Sequence, residues 1–107
     1  MNKKEITQLS YDVLGCAINV HKEVGPGLLE SVYQKCLTHE LRSKGFEVMQ
    51  QVKAPLFYKN LKLEVELRAD IIVNESIIVE LKTVDCLLAV HEAQLLTYMR
   101  LLKIPQG

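Results

Sequence analysis

Two neighbouring stretches constrain the fold of this chain more than any other part of it. They are Arg68–Val73, reading Arg-Ala-Asp-Ile-Ile-Val, and residues 77–83, reading Ile-Ile-Val-Glu-Leu-Lys-Thr. Both are short, β-branched and apolar, yet each carries charges where a buried strand should have none. Asn74-Glu75-Ser76 between them is turn-like, so the pair reads as an antiparallel hairpin. With a three-residue loop Val73 faces Ile77, facing positions have numbers summing to 150, and Asp70 lies directly opposite Glu80. Facing residues point to the same side of a sheet and side chains alternate along a strand, so Asp70, Glu80 and Lys82 project from one face. A two-residue loop would break this register, because a one-residue slip sends one strand's side chains to the other face.

Two carboxylates so placed repel each other by about 3 to 4 kcal/mol at about 4 to 5 Å and an effective dielectric of about 20. A bound cation, a shared proton or the neighbouring Lys82 ammonium must offset this. A hard divalent cation such as Mg²⁺ suits the pair, since it takes oxygen ligands and often only one or two protein carboxylates, leaving room for water and phosphate. With a lysine two residues on to polarise a water, this is the arrangement used in metal-assisted phosphodiester hydrolysis. A Glu-x-Lys taken alone is ordinarily a solvated pair on the wet face of a strand. The facing Asp70 and the apolar neighbours set this one apart.

At 107 residues the chain is long enough for one core and too short for two, so residues 1–107 are expected to form a single domain. No segment approaches the run of about 18 apolar residues that a membrane span needs. The N-terminus, Met-Asn-Lys-Lys-Glu-Ile, lacks the apolar stretch of a signal peptide, which makes a cytoplasmic protein the default expectation. Cys16, Cys36 and Cys86 are odd in number and far apart, and fit buried free thiols better than a disulfide framework or a zinc site. With 13 basic and 13 acidic residues the chain is no strongly basic nucleic-acid coat. A local basic rim of Lys53, Lys59, Lys62 and Arg68 could still engage a phosphate.

In chain order, residues 5–23 carry Ile6, Leu9, Val13, Ala17 and Val20, followed by Val24, on one face of an amphipathic helix whose other face reads as polar. Gly25-Pro26-Gly27 breaks it. A second helix is expected over residues 28–43, stopping at Gly45, with Glu30, Tyr33, Leu37 and Leu41 on one stripe. Glu30 matters if that stripe faces Asp70 and Glu80; a first-turn glutamate otherwise simply answers the positive helix end. Residues 46–53, Leu56–Tyr58 and 61–66 read as strands leading into the one that carries Asp70, a sequential antiparallel meander. A third helix is expected over residues 87–102, with Leu88, Leu95, Met99 and Leu102 as its core stripe and His91, Gln94 and Tyr98 together beside it. Gln94 and Tyr98 could bind a phosphate or a water, or be a polar rim. There is no glycine-rich phosphate loop and no Ser/His/Asp signature.

With these residues assembled the chain resembles the GxxExxY family of the PD-(D/E)XK nuclease superfamily. The likeness runs through Gly27-Leu28-Leu29-Glu30-Ser31-Val32-Tyr33, Arg68-Ala69-Asp70, Val79-Glu80-Leu81-Lys82 and His91-Glu92-Ala93-Gln94-Leu95-Leu96-Thr97-Tyr98. Four ordered blocks are far more specific than Asp…Glu-x-Lys alone. The fold this implies is an α/β, α+β-like restriction-endonuclease core: two N-terminal helices, an antiparallel meander with an active-site hairpin, then a helix. Ala69 stands where the superfamily's name has proline, and similar proteins continue into a further strand from about Gln106.

The resemblance implies that Asp70 and Glu80 bind Mg²⁺ or Mn²⁺, helped by the Leu81 main-chain carbonyl. It implies that Lys82 orients the attacking water, that Glu30 is an outer ligand, and that Gln94 assists from the last helix. Tyr98 and Arg68 are the candidates for contact with substrate. The implied function is hydrolysis of phosphodiester bonds in DNA or RNA. The alternatives are a non-catalytic nucleic-acid-binding or assembly module that retains the fold, and a protein acting on a smaller phosphorylated ligand. Two cuts in a duplex need two sites, which makes a homodimer a candidate assembly.

Overall fold

The structure is a computed structural model that describes residues 1–107. Helix α1 (Lys3–Val24) starts at Asn2, whose side-chain oxygen accepts the Glu5 N–H at 2.8 Å and so satisfies one of the orphan donors of the first turn. It ends at Gly25, where φ of +70° suits glycine. Helix α2 (Glu30–Ser43) begins two residues later than the periodicity suggests. The reason is local: Leu28 donates its N–H to the Tyr33 hydroxyl, which in turn donates to the Gly25 carbonyl at 2.6 Å, and this holds the connecting turn open. Gly45, at φ +88°, follows the helix end as expected.

Leu9, Val13, Cys16 and Val20 on α1 pack against Leu37 and Leu41 on α2. The opposite face of α1 is not polar throughout. Tyr11 and Leu14 are 74% and 59% exposed, with Ile18 one turn further on, so a second apolar stripe is left facing solvent. One helix can press only one stripe against the sheet and its partner helix, and the Leu9 stripe takes that place.

The main sheet has three antiparallel strands, with β4 (Arg68–Val73) between β1 (Val48–Lys53) and β5 (Ile77–Val79). Between β1 and β4 the chain forms a separate hairpin of β2 (Leu56–Tyr58) and β3 (Leu61–Leu63). The neighbour order therefore departs from a simple meander. β1 and β2 are two stretches of one outgoing arm, β3 and β4 two stretches of the returning arm, and β1 pairs with β4 directly. Pro55, which has no N–H to give, interrupts the outgoing arm just after Ala54 donates to the Leu67 carbonyl at 2.8 Å. On the returning arm Leu67 folds back on Val65, and the expected strand over 61–66 stops at Leu63.

The β4–β5 register is the one that follows from a three-residue loop: Ile71, Ile72 and Val73 face Val79, Ile78 and Ile77. Asn74 and Glu75 adopt left-handed conformations in the turn. The Asn74 side chain accepts the Glu47 N–H at 2.8 Å, and its own N–H donates to the Glu47 carbonyl at 2.9 Å, which ties the turn to the start of β1.

Helices α1 and α2 cover one face of the sheet, over Val48, Ile71, Val73 and Ile77. Helix α3 (Ala89–Leu102) covers the other, where Leu95, Met99 and Leu102 pack against Ala69, Ile72 and Ile78. No α3 residue is fully buried, and Leu88, expected in its core stripe, is 56% exposed because the helix begins only after it. The chain then returns to the sheet, where Gln106 bridges Ile77 in parallel and accepts the Ile78 N–H at 2.9 Å. All three cysteines are free; Cys16 is buried, but Cys86 is exposed, contrary to the expectation of buried thiols. No helix is long and apolar enough to cross a membrane.

Candidate metal centre

The β4–β5 ladder does not run the full length expected from residues 77–83. It stops at Val79, and two carboxylates take over the positions of the missing main-chain acceptors. The Asp70 N–H donates to Glu80 Oε1 at 3.1 Å, and the Leu81 N–H donates to Asp70 Oδ2 at 2.9 Å. Each acid therefore has one oxygen fixed by the backbone of the opposite strand. Beyond Val79 side chains, longer than the carbonyls they replace, bridge the two segments.

Asp70 and Glu80 thus stand together on one side of the hairpin. The Glu80 carboxyl is pushed up from its usual 4.5 to about 7, above all by burial. The Asp70 N–H opposes this shift, the charge of Asp70 and a side-chain hydrogen bond with it add to it, and Lys82 lowers it slightly. Near neutral pH the Glu80 carboxyl therefore tends to hold a proton when no cation neutralises it. Lys82 does not do so by contact: it is exposed, and the only ion pair in the protein is Arg68 with Glu66 at 2.9 Å.

The donor set fits a hard divalent ion. It consists of two carboxylates with anchored geometry and the Leu81 main-chain carbonyl, which accepts no protein hydrogen bond. Mg²⁺ and Mn²⁺ accept such all-oxygen sites and keep several waters. No group of three His, Cys, Asp or Glu side chains is close enough to form a complete protein cage. Glu30 accordingly lies apart from the two acids. Its Oε1 accepts the N–H of Thr83 at 3.2 Å and the Thr83 hydroxyl at 3.4 Å, which fastens the residue after Lys82 to the first turn of α2.

The other expected site residues are placed differently. The Gln94 side chain is exposed and makes no hydrogen bond, Tyr98 packs its half-buried ring into the cluster between the sheet and α3, and His91 accepts the Leu88 N–H to cap α3. Arg68 lies opposite Lys53 on β1, so two cations share one end of the β1–β4 pair while Glu66 neutralises one of them.

Two groups at the centre were not singled out from the sequence. Gln51 donates to Asp70 Oδ1 at 3.4 Å and to Gln34 Oε1 of α2 at 2.8 Å, and Thr83 donates to the Glu30 carboxylate. The available signal for Gln51 was the pair Gln50-Gln51, two consecutive polar residues that interrupt the alternation of β1. A cavity of about 450 Å³ opens beside Lys82, between His21, Leu28, Tyr33 and residues 81–85.

A family model described as the PD-(D/E)XK nuclease superfamily matches residues 7–107, nearly the whole chain. No curated protein and no solved structure matches it. The three helices and the antiparallel sheet agree with that match. The chain belongs to the PD-(D/E)XK nuclease superfamily.

Proposed function

We propose that this protein hydrolyses phosphodiester bonds of a nucleic acid, DNA rather than RNA as the first expectation, with Mg²⁺ or Mn²⁺ bound by Asp70 and Glu80. Within the superfamily the four sequence blocks favour a GxxExxY-type member. The observation that carries the reading is the pair of facing carboxylates at the opened end of the hairpin, with Glu80 needing a proton or a cation near neutral pH.

The bound ion would supply charge neutralisation for the phosphate. The rest is done by the chain. Asp70 and Glu80 are held by main-chain N–H groups, so they need no reorganisation when a charged ligand arrives. The Lys82 ammonium, free of any ion pair, is available to orient a water and to stabilise negative charge as it develops on the phosphate. Glu30 keeps Lys82 in place through Thr83, one residue on. Lys53, beside the Glu66-paired Arg68, offers positive charge to the backbone of the strand being cut. Cutting both strands of a duplex takes two such centres, and a homodimer would provide them.

The test is whether purified protein nicks plasmid or degrades single strands with Mg²⁺ or Mn²⁺, and stops when the metal is chelated. No cleavage of any DNA or RNA with either ion would sink the catalytic reading. A second reading, a non-catalytic nucleic-acid-binding module, draws on Gln94 and Tyr98 lying outside the polar network. Binding in a gel shift that survives both chelator and Asp70→Ala, without cleavage, would favour it.

A further inference from the structure

Side chains along β1 and β4 alternate regularly at the turn end. Val48, Ile71 and Val73 face α1 and α2, while Met49 and Ile72 face α3. Continued alternation would send Val52 and its partner Ala69 to the α1 and α2 side, yet both pack on the α3 side. The skip falls between Gln50 and Val52. Gln50 and Gln51 both turn toward α2, where the Gln34 side chain donates to Gln50 Oε1 at 3.1 Å and accepts from Gln51 at 2.8 Å.

At the skip Gln51 has φ of +50°, a left-handed conformation that a non-glycine residue in a strand rarely adopts. The paired register runs from Gln50 opposite Ile71 to Val52 opposite Ala69 and leaves Gln51 and Asp70 unpaired between them. Asp70 departs from the regular pattern together with it, and Gln51 holds Asp70 Oδ1 by its amide. Backbone in a disfavoured region persists only where its surroundings over-determine it, and such residues gather at functional sites.

We infer that Gln51 is a positioning residue for the carboxylate centre. Its left-handed backbone turns the β1–β4 pair at Asp70, and its amide holds Oδ1, the Asp70 oxygen that the Leu81 N–H does not take. This rests on reading Asp70 and Glu80 as a metal centre.

Gln51→Gly tests it, because glycine takes the left-handed conformation freely while the amide is lost. The variant is expected to melt at or above the wild-type temperature and yet to bind Mn²⁺, measured by calorimetry, about tenfold more weakly, as loss of a partner behind a metal ligand does. Gln51→Asn, which tolerates the conformation and retains an amide, is expected to recover part of that affinity. A Gly variant that binds Mn²⁺ with wild-type affinity overturns this inference alone. Wild-type protein that takes up no Mn²⁺ overturns the reading of the carboxylates, and the inference with it.

Discussion

Asp70 and Glu80 are joined through the backbone as well as across it, since the Asp70 N–H ends on Glu80 Oε1 at 3.1 Å. Burial and the Asp70 charge hold the Glu80 carboxyl at about 7 against an ordinary 4.5. The folded protein therefore keeps a proton that the unfolded chain releases, and metal-free stability falls as pH rises from about 4.5 to about 7. For a half-buried group the loss is about 1 to 2 kcal/mol after allowance for solvent screening. Glu80→Gln removes this step: with chelator present it should match wild type near pH 4.5 and melt higher above pH 7, while losing the divalent site. Thermal melts across pH check the first effect and calorimetry the second. A variant destabilised equally at both pH values would contradict the assignment.

Lys82 is exposed and engages no carboxylate by contact. Lys82→Ala should leave stability within about 0.5 kcal/mol of wild type, as surface changes do. Cleavage should fall by about 100-fold or more, the usual scale for losing a group that moves protons or stabilises developing charge. Turnover measured beside a chemical melt separates the two effects.

Glu30 reaches across to Thr83, so removing its carboxylate leaves the residue after Lys82 without its anchor. Glu30→Ala should cost about 1 kcal/mol, the net worth of a partly exposed charged hydrogen bond. It should also speed hydrogen exchange at the Thr83 amide. Glu30→Gln, which keeps an acceptor oxygen, should change exchange little. Unaltered exchange in the Ala variant would remove Glu30 from its anchoring role.

The hairpin of β2 and β3 presents Phe57 at 57% exposure opposite Lys62, an aromatic face and a cation with no other partner. Phe57→Ala and Lys62→Ala should leave the melting point almost unchanged but weaken binding of single strands. Stacking on one aromatic side chain is worth about 1 to 3 kcal/mol. The salt dependence of binding should flatten for Lys62→Ala and not for Phe57→Ala.

Thr38 is 4% exposed in α2, and its hydroxyl has no hydrogen-bond partner. Replacing it with valine keeps the shape and removes an unmet polar group, so Thr38→Val should raise stability by about 1 kcal/mol in a denaturant titration. A loss of stability would mean that the hydroxyl is satisfied in solution.

What could be read from the sequence divides along physical lines. Helix identity and the 70–80 register rest on short-range periodicity and on loop length, and both are local. The pairing of β1 directly with β4 depends on where a long ribbon breaks, at Pro55 and at residues 64–66, and no alternation pattern encodes that. Leu88 reads as core by spacing, but its burial depends on where α3 begins, and that is settled by the His91 cap. Asp70 and Glu80 were visible because facing acids on apolar strands conflict with local rules. Gln51 was less so, because consecutive glutamines mark a break in the alternation but reveal neither the left-handed angle nor the contact made there.

The Asn74 clasp on Glu47 has a mechanical consequence for the hairpin. With the turn fastened to β1, the tip of the hairpin is carried by the central sheet, and at its far end the two acids are bridged to the opposite backbone. The hairpin is thus braced at both ends like a strut, and a cation would meet carboxylates already set in place.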